Sequence, residues 1–477
     1  YLITIKIALV MRIQVLKLNL NMKKNLLKIV TLLTISKVLI FFLVRLISAF
    51  AILERKKGRD YFFLNKKLNR YTILALDSKR YRGDLDVLSE YGDFQILHIS
   101  RSWQHALISR FYGNNDYLPD LLDVNKPMYA NHDSAQSYMY VFLKQLYTHL
   151  KVDCVISPTY RYLDDYDWSL ASKKLGVPYI ILYRECLLNA KIYEHIVTKR
   201  TSKFPKFHGD HIIVHNQICK DMFIKSGFCK ENQVSDLGAL RMDKFIRRIN
   251  AKKEHYTQNR RKIFVLFYFH HDHNVFGSLS RVGKGYPDEY KCASEVWPGR
   301  DQLFIDLHEA IVELASIHPD VDFIIKPKAE VMHKKSWEFY KNIVGNVKNH
   351  NYKVLPNANV HSLILKSDVI CGLQSSTILE SAICRKNIIF PLFNGYMESN
   401  SFNLFGFRDD IELFDFSTNK KDFIDRVTYL LNNKNKIPNE VVKKRISLYE
   451  KYLHTSNPTV LDSYSKAIIA IIDKSKC

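Results

Sequence analysis

Residues 366–396 read KSDVICGLQSSTILESAICRKNIIFPLFNGY and decide the fold. The apolar residues at 369–371 are typical of a short buried strand, and those at 387–390 of a second one. Between them the pattern predicts a helix that carries Glu380 in its first turn. The turn before the helix is rich in small and hydroxyl residues, namely Gly372, Ser375, Ser376 and Thr377. This order of elements is typical of an α/β protein.

This strand-to-helix junction has two interpretations. In the first it is an anion site, because free backbone N–H groups and the positive end of the helix dipole point at whatever lies before the helix. Glu380 is then placed to accept hydrogen bonds from ribose hydroxyls. In the second it is an ordinary capped helix, with Ser375 or Ser376 as the N-cap and Glu380 as a first-turn carboxylate. This stretch alone does not distinguish the two interpretations, so the rest of the sequence is needed.

The alternation of strands and helices continues over a chain of 477 residues, which is longer than one ordinary core supports. Further strands are predicted at 71–77, 94–100, 152–158, 177–185, 210–216, 263–269, 322–328 and 353–356. Helix-length segments separate most of them, which predicts parallel sheets with helices on both faces. Ligands of such sheets bind at the carboxyl ends of the strands, so we expect two doubly wound domains that face a cleft.

The domain boundaries follow from changes in composition. Residues 61–243 and 263–440 carry the strand and helix patterns of the two α/β domains. Residues 244–262 are basic, polar and poor in strand pattern, which is typical of a linker. Residues 441–477 are expected to form a helical tail.

The formal net charge of +23 indicates an anionic partner. Residues 1–60 hold twelve Lys or Arg residues against two acidic ones, and they are also the most apolar part of the chain. This combination favours an anionic membrane surface over nucleic acid, for which no RNA-binding aromatic strand or zinc-finger spacing is present in the sequence. Residues 29–53 are long enough to span a bilayer, but Lys37 and Arg45 would lie inside the span. We therefore expect an N-terminal apolar helix in the membrane interface, with a single span as the alternative.

The eight cysteines are scattered and include no C-x-x-C pair. A disulfide framework is not expected in a chain of this size, so the pattern indicates a reducing, cytosolic compartment. The cluster FHHDHN at 269–274 is not predicted to bind a metal, because consecutive residues point in alternating directions and no other cluster completes a tetrahedral ligand set.

Four stretches resemble the GT-B glycosyltransferases that build bacterial capsule and surface polysaccharides, with CDP-glycerol glycerophosphotransferases and UDP-sugar 2-epimerases as relatives. They are VPYIILYRE (177–185), GDHIIVHNQICKDMFIKSGF with VSDLGALRMDKF (209–228 and 234–245), FIIKPK (323–328) and SDVICGLQSSTILESAICRKNIIFP (367–391). The resemblance covers roughly residues 70–440. It departs where relatives usually have His-Pro, because here Lys328 and Ala329 follow Pro327.

The resemblance implies a GT-B-like fold in which residues 61–243 form the acceptor-side domain and residues 263–440 bind a nucleotide-sugar. It favours the anion-site interpretation, in which the donor is held by Lys326, Gly372, Ser375, Ser376, Thr377 and Glu380. Lys326 ends a predicted strand, where a lysine can act as a point charge on a phosphate or can simply be solvated. In this fold helix dipoles and lysines stabilise the leaving diphosphate, so neither a cofactor nor a divalent metal is expected.

Two residues are candidates for the chemistry. Glu185 ends a predicted strand, where partial desolvation would raise its pKa and let it act as general base on an acceptor hydroxyl. The alternatives are a salt bridge with Arg184 or a helix cap, and Asp164, Asp165 and Asp167 compete as bases from a predicted loop. His271 or His273 could donate to the diphosphate leaving group, or they could be solvated loop histidines. Arg241 and Asp243 are expected to pair with each other or to hold the hinge.

The resulting hypothesis is a glycosyltransferase at the cytoplasmic face of the bacterial inner membrane. It would transfer a sugar from a nucleotide-sugar donor to a surface polysaccharide or a lipid-linked glycan, with no nucleic-acid partner. Two alternatives stay open. One is transfer of a polyol phosphate from a CDP-glycerol-type donor, and the other is a catalytically silent member of a membrane assembly that binds glycan or nucleotide.

Overall fold

The computed structural model describes residues 40–48, 70–113, 131–251, 260–267, 299–327, 349–373, 375–433, 437–453, 455–457 and 459–476, together with 342, 345 and 347. Within this part of the chain the strands form two six-stranded sheets, in the orders β2-β1-β3-β4-β5-β6 and β12-β11-β10-β7-β8-β9. Every strand pair in both sheets is parallel. The predicted fold class of two doubly wound parallel-sheet domains is therefore confirmed.

The first domain is built from short apolar strands that lie between layers of helices. Its strands are β1 (Tyr71–Leu76), β2 (Phe94–Ile99), β3 (Cys154–Ser157), β4 (Tyr179–Leu182), β5 (His211–Val214) and β6 (Val234–Asp236). Its helices are α1 (residues 40–48), α2 (Asp84–Leu88), α3 (Arg101–Tyr112), α4 (His132–Leu150), α5 (Leu163–Lys174), α6 (Lys191–Thr201), α7 (Gln217–Lys225) and α8 (Met242–Ala251). Most strand residues are buried on both faces, which is why these strands read as continuous apolar runs.

The second domain repeats this arrangement. Its strands are β7 (Lys262–Phe267), β8 (Val321–Lys326), β9 (Tyr352–Val354), β10 (Val369–Cys371), β11 (Asn387–Pro391) and β12 (Asp415–Ser417). Its helices are α9 (Arg300–Ile317), α10 (Val360–Lys366), α11 (Ser376–Ile383), α12 (Lys420–Asn432) and α13 (Asn439–Leu453), and the chain continues into α14 (Val460–Lys476). In each sheet the strand order reverses beside the first strand of the domain, β1 or β7, and this is where doubly wound folds place their ligands.

The predicted strands all exist, but their lengths differ from the prediction. The predicted strand 177–185 ends at Leu182, so Arg184 and Glu185 belong to the loop that follows β4. Strand β12 and helices α3 and α6 were not predicted, because their sequences mix polar and apolar residues without a clear period.

The predicted linker at 244–262 begins as a helix. Residues 242–251 form α8, whose Phe245 and Ile246 are buried in the core cluster of the second domain. The segment looks polar in the sequence because α8 is strongly amphipathic, with several basic residues on its exposed side.

Helix α1 covers the described part of the predicted N-terminal segment. Ile40, Leu43, Val44 and Ile47 are buried in a core cluster that also contains residues of α3 and α4. On the opposite side of the same helix, Phe41 and Phe42 are 45% and 58% exposed. The remainder of the predicted N-terminal helix lies outside the described residues. Among those that are described, no helix combines the length and apolar character that a membrane span requires.

The C-terminal helices connect the two domains. Helix α13 packs against α11 in the second domain, and α14 returns to the first sheet, where Tyr464, Ile468 and Ile472 join its core. The Tyr464 hydroxyl donates to the carbonyl of Gly238 at 2.8 Å. The predicted tail is therefore helical, and its last helix is part of the packing of the first domain.

Candidate functional site

The start of helix α11 lies at the carboxyl end of β10, beside the strand-order reversal of the second sheet. Ser375 is the N-cap of this helix, and its Oγ accepts a hydrogen bond from the backbone N–H of Thr377 at 3.2 Å. Gly372 is closely packed, since a Cβ there would lie 3.1 Å from the end of the Ile378 side chain. The local structure therefore confirms a capped helix, and it leaves the positive end of the helix dipole at the edge where a ligand is expected.

Glu380 lies one turn further into α11 than predicted, because the helix begins at Ser376 and Glu380 is its fifth residue. The side chain is buried. Its Oε1 accepts from the Ser376 hydroxyl at 3.2 Å, and its Oε2 lies 3.4 Å from Nε2 of His361. Burial raises the pKa of Glu380, but the hydrogen bond and charge of His361, followed by Arg241 and Ser376, outweigh burial and hold the pKa below its usual value. Glu380 is therefore an ionised carboxylate inside the protein.

Arg241 brings the first domain to this carboxylate. It follows β6, and its Nη2 lies 4.0 Å from Glu380 Oε1. Its backbone N–H donates to Asp84 Oδ1 at 2.9 Å, which fixes the loop after β6 against the start of α2. An ion pair therefore joins the loop after β6 of the first domain to α11 of the second.

Arg241 and Asp243 do not pair with each other, so of the two expected roles only that of holding the hinge is left. Asp243 instead accepts hydrogen bonds from the first two backbone N–H groups of α14, at 3.1 and 2.7 Å. A carboxylate in this position caps the helix and complements its dipole. Asp243 thus holds α14 in place and leaves Arg241 for Glu380.

His361 is a member of the site that sequence reasoning missed. It lies in the first turn of α10, and its ring stacks on Phe245 of α8 with 4.1 Å between the ring centroids. The side chain is partly exposed, while its Nε2 faces Glu380. The sequence carries no signal for this contact, because one histidine in a short helix is an ordinary surface residue.

Lys326 ends β8, as predicted, and its side chain is buried. Its Nζ donates to the carbonyl of Pro327 at 2.7 Å, and burial lowers the pKa of the ammonium group. A role on a phosphate stays a prediction. Lys328, His271 and His273 lie outside the described residues.

Glu185 is not desolvated, contrary to the expectation that supported its role as a base. Its side chain is 61% exposed and lies 3.8 Å from the Arg184 guanidinium. The reason is that β4 ends at Leu182, which places Glu185 in the loop at the carboxyl edge. A catalytic role for Glu185 stays a prediction, and it now rests on its accessibility at this edge.

Asp164, Asp165 and Asp167 lie in helix α5 and not in the loop that was predicted, and all three are buried. The hydroxyl of Ser157 donates to Asp165 at 2.9 Å, and the side-chain amide of Gln136 donates to Asp167. Burial raises the pKa of all three carboxyls, that of Asp167 to about 8. These groups are packed inside the first domain.

The described residues contain no group of three or more His, Cys, Asp or Glu side chains arranged to hold a metal ion. The candidate site is therefore composed of hydroxyls, one carboxylate, a histidine and basic side chains. The hydrogen-bonding groups and charges of such a set are suited to a polyhydroxylated, negatively charged ligand.

No protein-family profile matches the sequence, and no curated protein is similar to it in sequence. Several solved structures are similar in overall arrangement. The wall teichoic acid polymerase TagF is 13% identical with a TM-score of 0.46, and the match covers 91% of this chain and 98% of that one. A glycosyltransferase from Rickettsia africae is 13% identical with a TM-score of 0.43, over 85% and 99% of the two chains.

A UDP-GlcNAc 2-epimerase from Neisseria meningitidis, bound to UDP-GlcNAc, is 12% identical with a TM-score of 0.42, over 84% of this chain and 100% of that one. The matched proteins are of the kinds that the sequence resemblance names. With identities this low and TM-scores below 0.5, we infer the function from the residues of the site.

Proposed function

We propose that this protein is a glycosyltransferase that moves a sugar from a nucleotide-sugar donor to a bacterial surface polysaccharide or a lipid-linked glycan, at the cytoplasmic face of the inner membrane. The observation that carries the proposal is the ionised, buried Glu380 beside the hydroxyl-capped start of α11, at the junction of the two domains. A carboxylate can accept from both ribose hydroxyls, and a helix N-terminus complements a diphosphate.

In this proposal each domain contributes one half of the reaction. Glu380 holds the ribose, while the start of α11 and Lys326 hold the diphosphate. Glu185 removes the proton from the acceptor hydroxyl, and that oxygen forms a bond to the anomeric carbon of the sugar. The bond from the anomeric carbon to the diphosphate oxygen breaks, and the nucleoside diphosphate leaves with the electron pair, stabilised by the helix dipole.

The first experiment is a binding screen of the full chain against UDP-, CMP-, GDP- and dTDP-sugars, CDP-sugars and CDP-glycerol, followed by titration calorimetry with the best binder. Glu380→Gln and Ser376→Ala should weaken binding about ten- to hundred-fold, which corresponds to roughly 1.5–3 kcal/mol for hydrogen bonds to a charged group. Glu440→Gln, at an exposed carboxylate on α13, is the control.

The outcomes separate the alternatives. Preferred binding of CDP-glycerol would replace sugar transfer by polyol-phosphate transfer. If a nucleotide-sugar binds but is not turned over with any candidate acceptor, the protein is a catalytically silent member that binds the nucleotide. If no nucleotide binds the wild type, or if Glu380→Gln binds as the wild type does, the donor-site assignment is wrong.

Association with an anionic membrane is part of the proposal. Helix α1 supports it, because it presents Phe41, Phe42 and Arg45 to solvent, and the preceding sequence is rich in Lys and Arg. Exposed aromatic residues beside basic ones are typical of helices that lie at a membrane surface. The other side of α1 is buried, so removing the whole helix would expose the core that it covers.

Vesicle flotation tests this part. Deleting residues 1–39, or changing both Phe41 and Phe42 to Ser, should reduce binding to anionic vesicles and leave the melting temperature nearly unchanged. Deleting residues 1–48 should lower the melting temperature as well, because each buried aliphatic side chain of α1 contributes roughly 1.5–3 kcal/mol. If the wild type, the 1–39 deletion and the Phe41 and Phe42 double variant bind vesicles equally, the proposed membrane association is wrong.

A further inference from the structure

Arg184 is a buried guanidinium whose hydrogen bonds are incomplete. Its side chain is 7% exposed, and its Nη1 is fully enclosed without a hydrogen-bond partner in the described part of the chain. Its Nη2 lies 3.8 Å from Glu185 Oε1, which is longer than a hydrogen bond. A buried charged group without an acceptor is costly, so a fold retains one where it has another use.

Two other arginines, Arg82 and Arg241, lie near enough to Arg184 to repel its charge. Burial and, after it, repulsion by Arg82 and Arg241 lower the pKa of Arg184 to about 10, while Asp84 and Glu185 act in the opposite direction. One oxygen of Asp84 is already taken by the backbone N–H of Arg241. These arginines follow three different strands, β1, β4 and β6, so the carboxyl edge of the first sheet gathers positive charge from separate loops.

The position of Arg241 connects this charge to the candidate donor site. Its guanidinium lies 4.0 Å from Glu380 and belongs to the first domain, whereas Glu380 belongs to the second. The group of basic side chains therefore borders the ribose carboxylate on the side of the acceptor domain. The planar fork of an arginine presents paired N–H donors, which fit the oxygens of a phosphate.

We propose that Arg184 and Arg241 bind a phosphate group of a substrate at the carboxyl edge of the first sheet. The inference rests on the proposed function for the kind of substrate, since the phosphate belongs either to the donor diphosphate or to a lipid-linked acceptor. It adds a first-domain phosphate site to the contacts expected from α11 and Lys326.

Calorimetry on the full chain distinguishes the two sources. The variants are Arg184→Gln and Arg241→Gln, and the control is Arg247→Gln, which removes an exposed arginine paired with Glu90 in the same domain. UDP and CDP are compared with uridine and cytidine, and farnesyl phosphate is compared with farnesol. Inorganic phosphate serves as the minimal probe.

If the donor supplies the phosphate, both variants lose about ten- to hundred-fold in affinity for UDP or CDP and keep the wild-type affinity for the nucleoside. If the acceptor supplies it, the loss appears with farnesyl phosphate and not with UDP or CDP. Arg184→Lys keeps the charge without the fork and should fall between the wild type and Arg184→Gln. It is the informative variant if Arg184→Gln fails to fold.

Equal affinities of the wild type and all arginine variants for every phosphate-bearing probe would overturn the inference, and so would a wild type that binds none of them. Failure of the proposed function looks different. In that case UDP and CDP do not bind the wild type, while farnesyl phosphate or inorganic phosphate still binds in a way that depends on Arg184 and Arg241.

Discussion

Helices α5 and α11 occupy equivalent places in the two domains and begin in opposite ways. Each follows the strand next to the first strand of its sheet, β3 beside β1 and β10 beside β7, where the strand order reverses. Helix α5 carries three buried carboxyls near its start, whereas α11 begins with hydroxyl residues and holds its one carboxylate in the second turn. The first arrangement uses the positive end of the helix for the protein's own acids, and the second leaves it for a ligand.

This difference explains how the same helix position can stabilise the fold in one domain and face a ligand in the other. At α5 the acids bond to side chains of their own domain, such as Ser157 and Gln136. At α11 the hydroxyls satisfy part of the helix end, and Glu380 reaches toward the other domain through Arg241. An anionic donor would be repelled at the first helix if its acids were ionised, and it is favoured at the second.

The largest expected effect concerns Asp167. Its folded pKa, about 8, lies above the ordinary value near 4, so the folded state keeps a proton that the unfolded chain releases. The stability that this group supplies is complete below pH 4 and is lost as the pH rises to 8, on the order of 5 kcal/mol at most. Asp167→Asn should remove that loss and make the protein less sensitive to pH between 5 and 8.

Urea unfolding at several pH values checks this, with Asp86→Asn as the control at an exposed carboxyl of the same domain. If wild type and Asp167→Asn lose stability in parallel from pH 5 to pH 8, the pKa of Asp167 is not raised by folding. The contrast between the two helix starts would then disappear.

The second prediction asks which first-domain carboxyl reaches the acceptor. Glu185 is exposed at the carboxyl edge, while the acids of α5 are enclosed. Glu185→Gln should lower turnover by ~10²–10⁴ without weakening donor binding, because a lost base acts only on the transition state. Asp165→Asn should change turnover little. If Asp165→Asn lowers kcat and Glu185→Gln does not, the base lies on α5. The buried acids of α5 would then have to become accessible to the acceptor.

Some of these features could be predicted from the sequence. The strands are continuous apolar runs, and the junction at 366–396 places small and hydroxyl residues between a strand and a helix, so both the sheets and the start of α11 were predicted. Burial of the acids in α5 could not be predicted, because Leu-Asp-Asp-Tyr-Asp has the composition of a solvated turn. The partners that bury these acids come from α4 and β3.

The contacts of Glu380 could not be predicted from the sequence either. Arg241 and His361 meet it only because α8, α10 and α11 converge at the domain junction. The sequence contains each residue but not the packing that brings it to the carboxylate. For the same reason the exposure of Glu185 was misjudged, since it depends on β4 ending three residues earlier than its apolar run suggests.

The smallest effect is expected at the cap of α11. Ser375 Oγ accepts from the backbone N–H of Thr377, so Ser375→Ala should lower the free energy of unfolding by about 1 kcal/mol. Ser375→Gly should cost only a few tenths, because glycine is tolerated at the N-cap. The equivalent position of α5, Tyr162, makes no side-chain cap bond, which shows that its helix start is stabilised by other contacts.

Chemical unfolding and hydrogen exchange of the first α11 amides measure this effect without a ligand. With the nucleotide present, the Ala variant should recover part of the loss, because the ligand supplies an acceptor to the amide that the serine released. The Gly variant should show a smaller recovery. If Ser375→Ala and Ser375→Gly are equally stable and respond equally to the nucleotide, the start of α11 does not face a ligand. In that case α11, like α5, begins with contacts inside the protein only.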